Sequence, residues 1–359
     1  MLRVNLGPRS YEISVVTGDP NGAGPFIRER CRGITALVVG DDNTRFPAEA
    51  VGRTLGGLGF GVTMAVVTAG EVSKCLDVAG KLYDALAGIP ADRQTVVVAV
   101  GGGVVGDVAG FAAATYNRGL PLVMVPTSLL AMVDSSVGGK VGINHPRGKN
   151  LIGAFHQPAG VWIDTATLGS LPECEYRGGL AEVVKYGVIL DADFFAWLET
   201  NADAVRKREP TAVRHIVTRC CELKAGIVEK DEREETGLRM VLNYGHTFAH
   251  AFEAVGGYGA WSHGEAVAAG MACASRLAEK LDMVPAKVTA RQIRLLEEFG
   301  LPTAAKPEWP ADKLIETMRR DKKVSAGRLR FVLPTRIGEV VLRDEVAELL
   351  VRESLVASV

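Results

Sequence analysis

Three histidines, His246, His250 and His263, fall within one stretch of eighteen residues. In LNYGHTFAHAFE, His246 and His250 stand four apart, so a helix would put both imidazoles on one face, and His263 follows in WSHGEAVAAGM. Upstream, GGLAEVVKYG places Glu182 three residues before Lys185, again on one helical face, in a segment too apolar for an ordinary exposed pair. A carboxylate and two imidazoles with an open position form a catalytic zinc set. Three histidines compete for two places, and a lone histidine is more often a hydrogen-bonded core or surface residue than a ligand. The company they keep favours a site: Lys224, Arg239 and Asn243 would add a charged cleft that no helical bundle needs for stability.

A second chemistry is written in TVVVAVGGGVVGDVAGFAAATYNRG, where an apolar strand runs into three glycines and then a helix. Gly101, Gly103 and Gly106 satisfy G-x-G-x-x-G, which lets a backbone approach a pyrophosphate at a helix N-terminus. A tight structural turn meets the same pattern. No acid closes the next strand, about twenty residues on, so a dinucleotide ribose would fall to Asp41, Asp42 or Glu71. A third cluster lies in PTSLLAMVDSSVGGKVGINHPRGKN, which crowds Thr127, Ser128, Asp134, Ser135, Ser136, Lys140, Asn144, Lys149 and Asn150 into residues 126–150. Its strand-to-loop context suits the C-terminal edge of a sheet, and its lysines and amides suit an anionic substrate; the competing reading is a solvated loop.

These residues need elements to hold them. Continuous apolar runs at 34–40, 62–67, 95–100 and 120–126 alternate with helical stretches around 48–58 and 72–86, the pattern of a parallel sheet covered on both faces. From about Leu171 helical periodicity takes over, at 177–190, 192–205, 210–229, 239–254, 263–281 and 286–299, until the strand signal LRFVLP at 329–334. The expectation is an α/β N-terminal domain, a Rossmann-like parallel sheet with helices, followed by a mainly α-helical C-terminal domain, with the boundary near 170. At 359 residues, 47% hydrophobic and 23% charged with net charge -1, the chain carries no nucleic-acid footprint, no polybasic membrane surface and no sign of disorder. No apolar leader opens it and no segment approaches ~18 consecutive apolar residues, so a cytoplasmic location is expected. The six cysteines are scattered and read as reduced thiols.

GGGVVGDVAGFAAATYNRG, PTSLLAMVDSSVGGKVGINHPRGKNLIGAFHQP, GGLAEVVKYG, DERE with GLRMVLNYGHTFAHAFE, and SHGEAV occur in this order. Together they resemble the 3-dehydroquinate synthases of the sugar-phosphate cyclase superfamily, and the similarity runs from about Leu2 to the C-terminal helix. The resemblance implies an NAD-binding domain at 1–170 and a metal- and substrate-binding domain at 171–359. It puts the metal, zinc with cobalt as the alternative, on Glu182, His246 and His263, leaving His250 to face substrate. NAD contacts fall on Glu71, Lys74, Gly103, Val104, Val105, Gly106, Asp107, Thr127, Ser128, Lys140, Lys149, Thr167, Leu168, Gly169 and Ser170. Substrate contacts fall on Asp134, Lys140, Asn150, Lys185, Lys224, Arg239, Asn243, His250 and either Lys322 or Lys323. Arg118 matches an arginine that reaches the neighbouring subunit's site in family homodimers. Two departures stand out. Ser128 replaces the second threonine of PTT, and DEREETGLR is one residue longer than the family spacing, which would displace Lys224 if it shifted a helix register.

The implied reaction converts 3-deoxy-arabino-heptulosonate 7-phosphate to 3-dehydroquinate and phosphate: transient oxidation by NAD, β-elimination of phosphate, return of the hydride, and intramolecular aldol closure. It is a phosphate-eliminating carbon–oxygen lyase reaction of the shikimate pathway, which leads to the aromatic amino acids. The substrate is a small keto-acid phosphate. The nearest rivals are cyclases acting on sedoheptulose 7-phosphate or glucose 6-phosphate, then a metal-dependent alcohol dehydrogenase, for which the Lys and Arg set would have no task.

Overall fold

Runs of valine with no polar alternation become strands buried on both faces. The computed structural model describes residues 1–257, 259–320, 329–344 and 346–356, so Lys322 and Lys323 lie outside the described residues. Within it the chain divides into two units, Met1–Leu171 with Val213–Arg233, and Pro172–Ala212 with Glu234–Val359.

The first unit runs β1 (Leu2–Val4), β2 (Tyr11–Val16), α1 (Ala23–Arg30), β3 (Thr35–Asp41), α2 (Arg45–Gly57), β4 (Gly61–Val67) and α3 (Leu76–Ala87). It continues with β5 (Val96–Gly101), α4 (Gly103–Thr115), β6 (Leu122–Pro126), β7 (Lys140–His145), β8 (Gly148–Phe155) and β9 (Gly160–Asp164). Seven strands make one sheet in the order β1-β2-β9-β6-β5-β3-β4. All of its pairings are parallel except β1 with β2. On one face Val38, Val98 and Val123 pack with Phe26 and Ile27 of α1 and Leu55 of α2. Each fully buried side chain of this kind contributes about 1.5–3 kcal/mol relative to exposure.

Residues 126–150 hold regular elements and are not a solvated loop throughout, the competing reading. A π-helical turn occupies Ala131–Ser135, and β7 and β8 pair as an antiparallel hairpin. The hairpin is held because Val141 and Ile143 are buried, and Val141 Cγ1 comes within 2.3 Å of where a Cβ on Gly110 of α4 would stand.

The helices that follow are α5 (Glu173–Leu190), α6 (Ala192–Arg206), α7 (Pro210–Val228), α8 (His246–Gly256), α9 (His263–Lys280), α10 (Ala286–Glu298) and α11 (Ala311–Arg320). After them come the antiparallel pair β10 (Arg330–Arg336) and β11 (Glu339–Asp344), and α12 (Glu348–Ser354). From Val213 onward α7 groups with the first unit, where Cys221 Sγ donates to Met132 O and Lys224 Nζ to Asp134 O. Residues 213–233, placed above in the helical domain, therefore have their partners among the strands' loops.

In the second unit α9 is buried on every side from Ala266 through Ala278, as a helix without a polar stripe must be. Glycines let its neighbours approach. A Cβ on Gly264 would fall 2.0 Å from Gly178 O of α5, and one on Gly270 would fall 2.2 Å from Gly245 O. The expected single helix over 239–254 is broken. Leu238–Asn243 form a 3-10 turn, Gly245 adopts φ +80, and α8 starts afresh at His246. A side chain at Gly245 would meet Met271 N at 2.8 Å, so both the left-handed backbone and the close approach of α9 demand glycine. Among the described residues no helix is long and apolar enough to cross a membrane. All six cysteines are free thiols, and burial pushes Cys221 and Cys273 up to about 12, which keeps both unreactive.

Candidate active site

In the second unit the two glycine contacts bring three ligand-type side chains together. Glu182 follows Gly178 by one helical turn, His263 precedes Gly264, and His246 follows Gly245. The donor atoms of Glu182, His246 and His263 lie within 4.8 Å of one another, a grouping suited to a cation among the described residues. Glu182 is 2% exposed and divides its oxygens: Oε2 pairs with Lys185, also 2% exposed, while Oε1 faces His246 Nε2 at 3.8 Å. The imidazoles are oriented from behind. His246 Nδ1 lies 3.1 Å from Tyr244 O, an acceptor only, so Nδ1 carries the proton and Nε2 keeps its lone pair. His263 Nδ1 lies 3.4 Å from Glu253 Oε1, which sets the same tautomer. One carboxylate oxygen and two lone-pair nitrogens converge, the donor set of a His₂Glu metal site. His250 stands beside the set, its ring edge-on to His246 with centroids 5.8 Å apart.

In the first unit the glycine run forms a pocket at the N-terminus of α4, lined by Gly101, Gly102, Gly103, Gly106, Ser135 and Ser136. Gly101 is needed for packing, since a Cβ there would overlap Val105 at 2.6 Å, whereas at Gly103 the nearest atom is the Ser135 hydroxyl at 3.2 Å. Val104 is partly exposed; Val105 is wholly buried, so it offers a ligand only its backbone, and Leu168 is buried likewise. Ser128 Oγ accepts from Ala131 N, and Thr127 N donates to Gly101 O, fixing the end of β6 against β5. Thr167, Leu168, Gly169 and Ser170 lie in a 3-10 turn capped by Asp164, whose carboxylate also accepts from Gly18 N and Asp19 N. Asp41 is consumed within its own turn by Asn43 N and Thr44, Asp42 accepts from Ala69 N, and Glu71 accepts from Asn144 of the β7–β8 hairpin.

That tie is a network. Lys74 Nζ donates to Asp107 Oδ2 at 2.6 Å and to Asn150 Oδ1 at 2.5 Å, and Glu71 Oε1 accepts from Asn144 Nδ2 at 2.7 Å. Burial raises the Asp107 carboxyl above its usual range, and Lys74 opposes that shift. Asp134 meets Lys224 Nζ through both its carbonyl, at 2.6 Å, and its carboxylate, at 3.0 Å. DEREETGLR lies beyond the end of α7 at Val228, with Glu234 at φ +60, whereas Lys224 lies within α7. Arg239 is buried with Glu234 Oε1 3.6 Å from its Nε, and Asn243 closes the same 3-10 turn. Lys140 and Lys149 are exposed at the starts of β7 and β8, and Arg118 is exposed on the left-handed turn Asn117–Gly119.

Family models match both halves of the chain, 3-dehydroquinate synthase N-terminal over residues 64–178 and 3-dehydroquinate synthase C-terminal over 179–324. A 3-dehydroquinate synthase from Desulforamulus reducens is 47% identical over 348 residues, covering 97% of each chain. The chain belongs to the 3-dehydroquinate synthase family. Its activity is that of a carbon–oxygen lyase forming 3-dehydroquinate. Solved structures of related cyclases share the fold. A 2-deoxy-scyllo-inosose synthase complexed with carbaglucose-6-phosphate, NAD+ and Co2+ superposes with TM-score 0.90 at 26% identity, over 99% of this chain and 98% of that one. A 2-epi-5-epi-valiolone synthase from Streptomyces hygroscopicus subsp. jinggangensis 5008, with NAD+ and Zn2+ bound, gives 0.87 at 27% over 96% and 95%.

For this 3-dehydroquinate synthase family member, sequence reasoning passed over the residues behind the ligands. Glu253 lies seven after His246 and three after His250, a helical spacing that marks all three as one face of α8. Ser262 and Glu265 form a reciprocal capping box at the start of α9, legible as S-x-x-E, which also occupies Glu265. Ser136, already named in the 126–150 cluster, lines the glycine pocket with a buried Oγ that has no hydrogen-bond partner among the described residues.

Proposed function

We propose that the chain converts 3-deoxy-arabino-heptulosonate 7-phosphate to 3-dehydroquinate and phosphate, with NAD recycled in each turnover and zinc held by Glu182, His246 and His263. The observation that carries this reading is the buried Glu182 carboxylate, one oxygen neutralised by Lys185 and the other turned toward imidazoles whose far nitrogens are already engaged. When bound, the cation supplies Lewis acidity at substrate hydroxyls, and NAD supplies a reversible hydride acceptor. The related cyclases carry Zn2+ or Co2+ beside NAD+, which supports both groups here.

The chain's own residues bind and orient. Glu71, Lys74 and Asp107, with Thr127, Ser128 and the turn at Thr167–Ser170, would hold the nucleotide over the Gly103–Gly106 backbone. Lys140, Lys185, Lys224 and Arg239 offer cationic groups, and Asn150, Asn243 and His250 further hydrogen-bonding groups, to a substrate bearing a carboxylate and a phosphate, while Lys149 serves the nucleotide. A sugar phosphate without the carboxylate would leave part of that set unmatched, at about 1–3 kcal/mol per unmet group. Asp134, held by Lys224, fixes the loop between β6 and β7. The exposed left-handed turn at Arg118 suits a homodimer in which this side chain serves the other subunit's site, and a cytoplasmic enzyme is the accompanying proposal.

Phosphate release decides the substrate. Incubated with metal and NAD, the protein is expected to release phosphate from the keto-acid phosphate and not from sedoheptulose 7-phosphate or glucose 6-phosphate, with no net NADH. Turnover of either sugar phosphate alone would replace this reading with that of a related cyclase.

A further inference from the structure

Asn144 belongs to none of the nucleotide, metal or substrate sets above, yet the hairpin is distorted around it. Between the pairs Ile143↔Ile152 and His145↔Gly148, β7 contributes one residue, Asn144, while β8 contributes Lys149, Asn150 and Leu151. Such a bulge aims a side chain out of the regular ladder. Here Asn144 Oδ1 accepts from Asn150 N at 2.9 Å, and Asn144 Nδ2 donates to Glu71 Oε1 at 2.7 Å. Its backbone N also donates to Lys74 O at 2.8 Å.

One amide therefore spans two loops with separate tasks. Asn150 is held at φ +52, a left-handed backbone that asparagine tolerates but that needs support, and its own side-chain oxygen is gripped by Lys74. Glu71 is half-buried in the turn before α3. An amide can serve both because it carries an acceptor and a donor; a carboxylate offers only the first, and an aliphatic isostere neither.

We infer that Asn144 is a positioning residue that couples the nucleotide turn, through Glu71, to the substrate loop, through Asn150. The inference rests on the proposed assignment of Glu71 to NAD and Asn150 to substrate. Asn144→Leu removes both hydrogen bonds and should raise KM for NAD and KM for the keto-acid phosphate each by about 3- to 10-fold, the range for one lost hydrogen bond, with kcat changed less. Asn144→Asp keeps the acceptor for Asn150 N–H and sets a carboxylate against Glu71. It should leave the substrate KM within about twofold and raise the NAD KM at least as much as leucine does.

Steady-state kinetics on the metal-loaded enzyme test this, with the thermal midpoint recorded for each variant. Unchanged KM values in Asn144→Leu would overturn the inference. So would parallel loss of both in Asn144→Asp together with a lowered midpoint, since that describes a structural asparagine. Glu71→Ala separates the two levels of argument. If it leaves the NAD KM untouched, the nucleotide assignment and the inference fall together; if it raises the NAD KM while Asn144→Leu does not, the inference alone falls.

Discussion

In the helical unit each candidate ligand histidine, His246 and His263, is the first residue of its helix, placed by Gly245 in one case and by the Ser262–Glu265 capping box in the other. In the α/β unit Lys74 sits on a turn, Asp107 in α4, and Asn144 and Asn150 on a bulged hairpin, linked as Asp107–Lys74–Asn150–Asn144. The first arrangement takes its precision from close-packed helices, whose glycine contacts allow no slack. The second takes it from hydrogen bonds between loops. A metal with donor distances near 2 Å needs the former, while a long dinucleotide can be met by many adjustable contacts.

The contrast can be broken at the metal set first. His263→Ala removes a ligand and leaves the Glu182–Lys185 pair intact, so metal content should fall by more than about 100-fold in affinity, beyond what outer residues cost, and activity with it. His250→Ala should retain the metal. Equal zinc stoichiometry in His263→Ala and the parent would end the assignment.

Glu253→Leu probes the support behind the ligand. It should weaken metal affinity by about 10- to 100-fold through loss of the His263 orientation, read by chelator competition. If affinity is unchanged, packing alone orients His263 and the contrast sharpens.

In the other unit, Gly103→Val should fold, since a Cβ there would meet nothing closer than the Ser135 side chain at 3.2 Å, yet crowd the backbone surface offered to pyrophosphate. A loss of about 1–2 kcal/mol, roughly 5- to 30-fold in NAD KM, is expected. Gly101→Val should instead lower stability, because Val105 already fills that space. NAD binding unchanged in folded Gly103→Val would remove the nucleotide from this turn.

The smallest effect concerns the tail of residues that α7 carries into the first unit. The Arg9 hydrogen bond, opposed by partial burial, lowers the Glu232 carboxyl below its usual range. A depressed carboxyl contributes stability above its unfolded value and loses it as pH falls through the folded one. Arg9→Met should therefore lower the thermal midpoint slightly at pH ~7, and the difference should shrink as pH falls below the ordinary carboxylate range. A difference that persists in acid would assign it to packing.

Periodicity placed β3, β5 and β6 and most helices, because valine runs and 3.6-residue stripes follow directly from burial. It did not place β1, β2 and β9; β2 and β9, distant in sequence, pair with each other. Nor could it see that the 239–254 stripe is cut at Gly245, because the cut is imposed by Met271 approaching from another helix. The histidines and Glu182 were legible as a metal-type set by residue type and helical spacing, but their competition was not resolvable from spacing alone. His246, His250 and His263 are chemically identical choices, and only packing decides which imidazole nitrogen lies near Glu182 and which is turned by Tyr244 O or Glu253. Sequence by itself determined most of the elements, the family motifs and the chemical inventory, since these depend on residue type and local period. Tertiary structure alone decided the bulge at Asn144, the grip of Lys74 on Asn150 and the glycine contacts beneath the ligands, since each is a distance between residues that the chain brings together only on folding.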